Sequence, residues 1–92
     1  MKHILRIELI DADDSANAAL ATALHREGFE HSVAGRDGQR YRLPSGEFSY
    51  DGKATVHDVL EAAQRAANTT GKKYRAVATE VAGQVWAGLD PV

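Results

Sequence analysis

Cysteine is absent from this 92-residue chain, which excludes a disulfide scaffold and any thiolate chemistry. Long apolar runs are missing as well, and nothing approaches the roughly 18 residues that would read as a membrane span. Met1-Lys2-His3 followed by Ile4-Leu5-Arg6 does not make a signal peptide, because Arg6 breaks the apolar stretch. Neither helical segment is apolar and basic enough to suggest a membrane surface. The expectation is a small cytoplasmic protein with no membrane partner. Charge of one sign is also lacking: 11 Lys and Arg stand against 13 Asp and Glu, for a net charge of −2. A pI near 6.0 argues against strong non-specific binding to duplex nucleic acid. No G-x-S-x-G, H-x-E or H-E-x-x-H occurs, and no glycine-rich loop fits a nucleotide phosphate, so serine hydrolase, zinc and nucleotide-fold chemistries have nothing to build on.

What remains is ordinary globular material. Hydrophobic residues make up 43% and charged residues 26%, close to globular averages, which argues against disorder and a coiled-coil rod. The length predicts one domain over residues 1–92, with a single small core.

The period of two in residues 2–11 predicts a strand with Leu5, Ile7 and Leu9 toward the core, and Arg6 and Glu8 on the opposite face. Asp11-Ala12-Asp13-Asp14-Ser15 ends it with short polar side chains suited to a turn and a helix cap. A helix over residues 15–27 follows, ended by Gly28. Residues 29–34 predict a strand with Phe29, His31 and Val33 on one face. The Gly35-Arg36-Asp37-Gly38 turn leads to a strand over residues 39–43. Pro44-Ser45-Gly46 interrupts the extended chain as a bulge or an edge, and residues 47–50 resume it. Thr55-x-x-Asp58 has capping-box spacing and opens a second helix, on which Val56, Leu60, Ala63 and Ala67 share a face and Glu61 pairs with Arg65. Strands over residues 74–81 and 84–89 close the chain. The class is therefore α+β: a ferredoxin-like split βαβ sandwich, β-α-β-β-α-β plus a short C-terminal strand, with two helices on one face of an antiparallel sheet.

Three kinds of residue carry potential chemistry. The acidic cluster Asp11, Asp13 and Asp14 at the end of the first strand could hold Mg²⁺, with Asp11 as the metal candidate, although capping of the first helix by Asp13 or Asp14 is the stronger reading of that pair. Among the histidines, His31 alternates with Phe29 and Val33 as a partly buried strand residue, and imidazole titrates where a general acid–base must. The basic residues cluster, with Arg36, Arg40 and Arg42 on the central hairpin and Lys72, Lys73 and Arg75 before the fourth long strand. Tyr50 and Trp86, with the other aromatics, fit either a base-stacking surface for single-stranded nucleic acid or an ordinary core.

Arg6-Ile7-Glu8-Leu9 before an Asp-bearing turn, Gly28-Phe29, Tyr41-Arg42-Leu43-Pro44, Glu47-Phe48-Ser49-Tyr50, Thr70-Gly71-Lys72-Lys73-Tyr74, Thr79-Glu80 and Trp86-Ala87-Gly88-Leu89 form a series of landmarks over nearly the whole chain. Together they resemble the bacterial GhoS-type antitoxin endoribonucleases of type V toxin–antitoxin systems. The resemblance implies a ferredoxin-like fold and sequence-selective cleavage of single-stranded RNA. Those proteins are similar to the small CRISPR-associated nucleases, in which an Asp ending the first strand holds a metal, often across a dimer. Asp11 matches that placement, although Ile10-Asp11 stands where the nucleases carry Tyr-Asp.

Two readings follow. In the first, a small RNA-binding protein or endoribonuclease grips phosphates with Arg6, Arg36, Arg42, Lys72 and Lys73. Asp11, His31 and Arg40 then serve catalysis, either with Mg²⁺ or with no cofactor at all. In the second, the chain is a non-enzymatic interaction module, a ferredoxin-like homodimer or adaptor that binds protein through a sheet face or edge.

Overall fold

The computed structural model describes residues 1–92. Its elements are β1 (Lys2–Leu9), α1 (Asp14–Arg26), β2 (Ser32–Ala34), β3 (Arg40–Arg42), β4 (Glu47–Asp51), α2 (Val56–Asn68) and β5 (Tyr74–Glu80). The class is α+β with a ferredoxin-like strand order. β1 lies between β4 and β5, antiparallel to both, while β2 and β3 form a hairpin of their own. A bridge between Glu30 and Ser49 ties that hairpin to the outer side of β4.

The split into three-stranded and two-stranded parts has a local cause. β3 and β4 are halves of one extended stretch broken at Pro44-Ser45-Gly46, as the proline predicts. Between the Ser32–Arg42 and Glu30–Ser49 pairs, residues 43–48 stand opposite His31 alone, so the surplus chain bulges outward. Gly46 lets it turn back with φ +82, and its carbonyl accepts the Ile7 N–H at 2.8 Å. One consequence corrects the sequence reading. Alternation fails at the bulge, so Ser32 and Val33 are both buried and His31 is exposed.

The helices are placed by their caps and by one apolar seam. The Asp13 carboxylate accepts the Ala16 N–H at 2.8 Å and caps α1, and Gly28 leaves the helix at φ +100. Thr55 and Asp58 form the expected reciprocal capping box on α2. Leu5 and Ile7 of β1 meet Leu20 and Leu24 of α1, Phe29, Phe48, and Val59, Ala62, Ala63, Ala66 and Ala67 of α2. The buried seam of α2 is centred on Val59, Ala63 and Ala66, which leaves Val56 and Leu60 half-buried. Full burial of a leucine such as Leu5 or Leu24 contributes about 1.5–3 kcal/mol, so this seam is the main source of stability.

Two further expectations are corrected. Arg65 does not pair with Glu61; its guanidinium reaches the Glu27 carboxylate at 3.1 Å and joins the end of α1 to α2. No strand forms over residues 84–89. The tail instead crosses from the end of β5 to the outer edge of β3. Val81 N–H bonds Lys2 O at 2.8 Å, Arg42 N–H bonds Asp90 O at 2.8 Å, and Val92 N–H bonds Arg40 O at 3.0 Å. Pro91 sits as a single bridge opposite Tyr41. Proline and the Gly88 turn at φ +75 limit this pairing to a point contact.

Candidate functional site

On β1 the even-numbered side chains Arg6 and Glu8 project from the face of the sheet that carries no helix. β4 pairs with β1 only as far as Arg6, and past the Ile7 N–H bond to the Gly46 carbonyl the edge of β1 is left open. A cleft of about 630 Å³ occupies this gap, lined by Arg6, Glu8 and Arg75 from the sheet, Ser45 from the bulge, His31 opposite it, and Asp14 and Asn17 from α1. The break predicted at Pro44-Ser45-Gly46 thus borders this cleft through Ser45 and Gly46.

The His31 ring is held in two ways. Nε2 lies 3.2 Å from the Pro44 carbonyl, and the ring packs on Phe48 with centroids 5.0 Å apart. A carbonyl only accepts, so Nε2 carries the proton and the Nδ1 lone pair is left without a partner in the protein. In this tautomer His31 is equipped as a base at Nδ1. The charges beside it are unevenly answered. Arg75 meets Glu8 at 3.0 Å across the strands, whereas Arg6 forms no ion pair although Glu47 stands opposite it in the register. Arg6 is therefore the guanidinium of the cleft with its charge available to an anion.

The other candidates lie elsewhere. Asp11 is exposed, sits in the left-handed region at φ 51, and does not line the cleft. No three His, Asp or Glu side chains converge anywhere, and the Asp13 carboxylate is occupied as the α1 cap. Arg40 is turned to a structural task. Its Nε donates to Ser32 Oγ at 2.8 Å and its Nη2 to Ser32 O at 3.0 Å, while Ser49 Oγ donates to the same carbonyl at 2.7 Å. Asp11, His31 and Arg40 are thus not brought together.

Arg36 is exposed on the turn of the hairpin, Arg42 on β3, and Lys72 and Lys73 before β5, all away from the cleft lining. Tyr50 is half-buried against Phe29, with ring centroids 5.4 Å apart, and belongs to the core. Trp86 is 37% exposed and lies 6.0 Å from Tyr41. At the hairpin, Tyr41 Oη donates to Asp37 Oδ2 at 2.8 Å while the Gln39 N–H donates to Oδ1. The Tyr41 hydroxyl and the Gln39 N–H hold the Asp37 carboxyl below its usual range, and the Asp37 carboxylate pushes the Tyr41 hydroxyl up.

Sequence reasoning missed Asn17, Asp14 and Ser45 as residues that line the same cleft as His31. Only the Pro44 break marked the place where they meet. No protein-family model matches the chain, and no curated protein matches it.

Proposed function

We propose that the protein binds single-stranded RNA on the helix-free face of its sheet and cleaves it at the His31 cleft, as a small antitoxin-type endoribonuclease or regulator. The observation that carries this reading is the sharing of one open cleft by His31, with Nδ1 unpartnered, and Arg6, with its charge unpaired. His31 Nδ1 takes the proton of a ribose 2′-hydroxyl, O2′ attacks the adjacent phosphorus, and the bond to the 5′-oxygen breaks. The products are a 2′,3′-cyclic phosphate and a 5′-hydroxyl, the latter completed by a proton returned from the imidazolium or from water. Arg6 stabilises the charge that gathers on the phosphoryl oxygens. No step runs through a metal ion. The GhoS-type resemblance supports the substrate class; the geometry supports the placement at His31 rather than Asp11.

Incubation of a labelled, unstructured RNA pool with the protein, in Mg²⁺ and in EDTA, tests the reading. Cleavage that persists in EDTA and disappears in His31→Ala is expected. Loss of cleavage in EDTA together with loss in Asp11→Ala would move the chemistry to a metal held between chains. RNA binding without cleavage leaves a binding regulator, and no affinity at low salt overturns the reading. The alternative, a non-enzymatic interaction module, is favoured by the uncovered edge of β5.

A further inference from the structure

The sheet ends in edges of very different character. β3 has its outer edge capped by the C-terminal tail at Asp90, Pro91 and Val92, and β2 is only 3 residues long. β5, by contrast, is 7 residues long, pairs with β1 on one side, and has no strand on the other. The hydrogen-bond phase of this edge is fixed. Ile10 N–H bonds Lys73 O and Val81 N–H bonds Lys2 O, so the alternate pairs Glu8–Arg75, Arg6–Val77 and Ile4–Thr79 are the bonded ones. Arg75, Val77 and Thr79 therefore direct their N–H and C=O groups inward to β1. Tyr74, Ala76, Ala78 and Glu80 direct theirs outward, where the protein offers them no partner. Neither proline nor a bulge interrupts Tyr74–Glu80, and its only charges are Arg75, paired with Glu8 on β1, and Glu80 at the strand end.

We infer that this edge pairs with the same edge of a second copy, antiparallel about a twofold axis at Val77, to form a continuous six-stranded sheet. The strand is self-complementary in that register. Ala76 faces Ala78 of the other copy and Tyr74 faces Glu80, and these are the residues whose backbone groups point outward, so each pair closes two hydrogen bonds. Arg75 faces Thr79, so no like charges meet. Val77, which is 62% exposed, meets its own copy as a non-hydrogen-bonded pair, the closer kind, and the most exposed apolar side chain of the sheet is covered. A partner of different sequence would satisfy the backbone groups equally well but would have no cause to match this symmetric pattern. The pairing also sets Arg6, Val77, Val77 and Arg6 in one row across the joined sheet, with the two Arg6 Cα atoms about 14 Å apart at ordinary strand spacing. Both clefts then open on one surface.

Light scattering and sedimentation over a range of concentrations test the inference without reference to RNA, so its outcome is independent of the proposed activity. The wild-type protein is expected to be dimeric at high concentration. Val77→Lys, which places two ammonium groups face to face at a position already exposed, raises the dissociation constant about tenfold or more. Ala78→Pro removes an outward N–H while leaving the β1 ladder intact, and acts in the same direction. Because the chain has no cysteine, Val77→Cys on mild oxidation reports the register: it forms a disulfide-linked dimer, whereas Thr79→Cys, facing Arg75, does not. A protein that stays monomeric at its highest soluble concentration overturns the inference, as does a dimer unaffected by Val77→Lys and Ala78→Pro. Cross-linking through Thr79→Cys in preference to Val77→Cys overturns the register.

Discussion

The Nε2 atom of His31 is held 3.2 Å from the Pro44 carbonyl, so the residue that breaks the strand also sets the tautomer of the imidazole beside the cleft. Anchorage of this kind gives a general base a defined geometry, with the ring packed at a tilt against Phe48. Replacing His31 by Gln is expected to lower RNA cleavage by about 10²–10⁴-fold. Melting temperature is expected to change little, because His31 is exposed. Equal losses of cleavage and folding would assign His31 to structure alone.

Arg6 and Arg40 are expected to behave oppositely. Arg6→Ala removes a guanidinium with no protein partner, so stability is retained, RNA affinity falls, and the slope of log affinity against log salt shrinks by about 0.7. Arg40→Ala removes the donors to Ser32 Oγ and O and costs about 1–2 kcal/mol of stability, with a smaller effect on the salt slope. Denaturant melts and salt titrations of both variants separate the two roles.

Gly46→Ala probes the bulge. The left-handed backbone at φ +82 alone costs a residue with a Cβ about 1–2 kcal/mol, and that Cβ would lie 3.0 Å from the Ile7 carbonyl. The expected result is a lower melting temperature together with a shifted His31 ring resonance, since both ends of the bulge move. Gly83→Ala, where a Cβ meets nothing, is the control and should leave both unchanged.

The Asp37–Tyr41 contact predicts stability limits at both ends of the pH range. Asp37 binds its proton more weakly folded than unfolded, so its contribution is complete above its ordinary value of 3.8 and fades as pH falls through the lower folded value. Tyr41 holds its proton more tightly folded, so its contribution is complete below its ordinary value of 10.0 and is lost as pH rises through the folded value. Tyr41→Phe removes the alkaline limb and raises the Asp37 titration part of the way, since the Gln39 N–H remains. An NMR titration of the Asp37 carboxyl that is unchanged in Tyr41→Phe would contradict the contact.

Elements decided by near neighbours in the chain were legible. The alternation of Leu5, Ile7 and Leu9, the Thr55–Asp58 box and the Pro44 break all rest on contacts within a few residues, and the structure carries each of them. Features decided by distant partners were not. Arg65 had Glu61 one turn away on its own helix, but the packing of α1 on α2 brought Glu27 nearer. His31 fell out of alternation because the bulge opposite it belongs to the other strand of the hairpin. Arg40 was a catalytic candidate, but Ser32, across the hairpin, takes its donors. The C-terminal segment had the residues of a strand, but its partner positions at Arg40 and Arg42 admit only the last few residues. The site inherits these limits: Arg6 and His31 were both candidates, but nothing local joined them.

The central claim is that catalysis resides at His31 and Arg6 without a metal. Its most direct test is the chemistry of the RNA ends produced in EDTA by the wild-type protein beside His31→Ala. The account predicts 2′,3′-cyclic phosphate ends from the wild type and none from the variant. Cleavage that His31→Ala retains, or fragments ending in 3′-hydroxyls that form only with Mg²⁺, would contradict it.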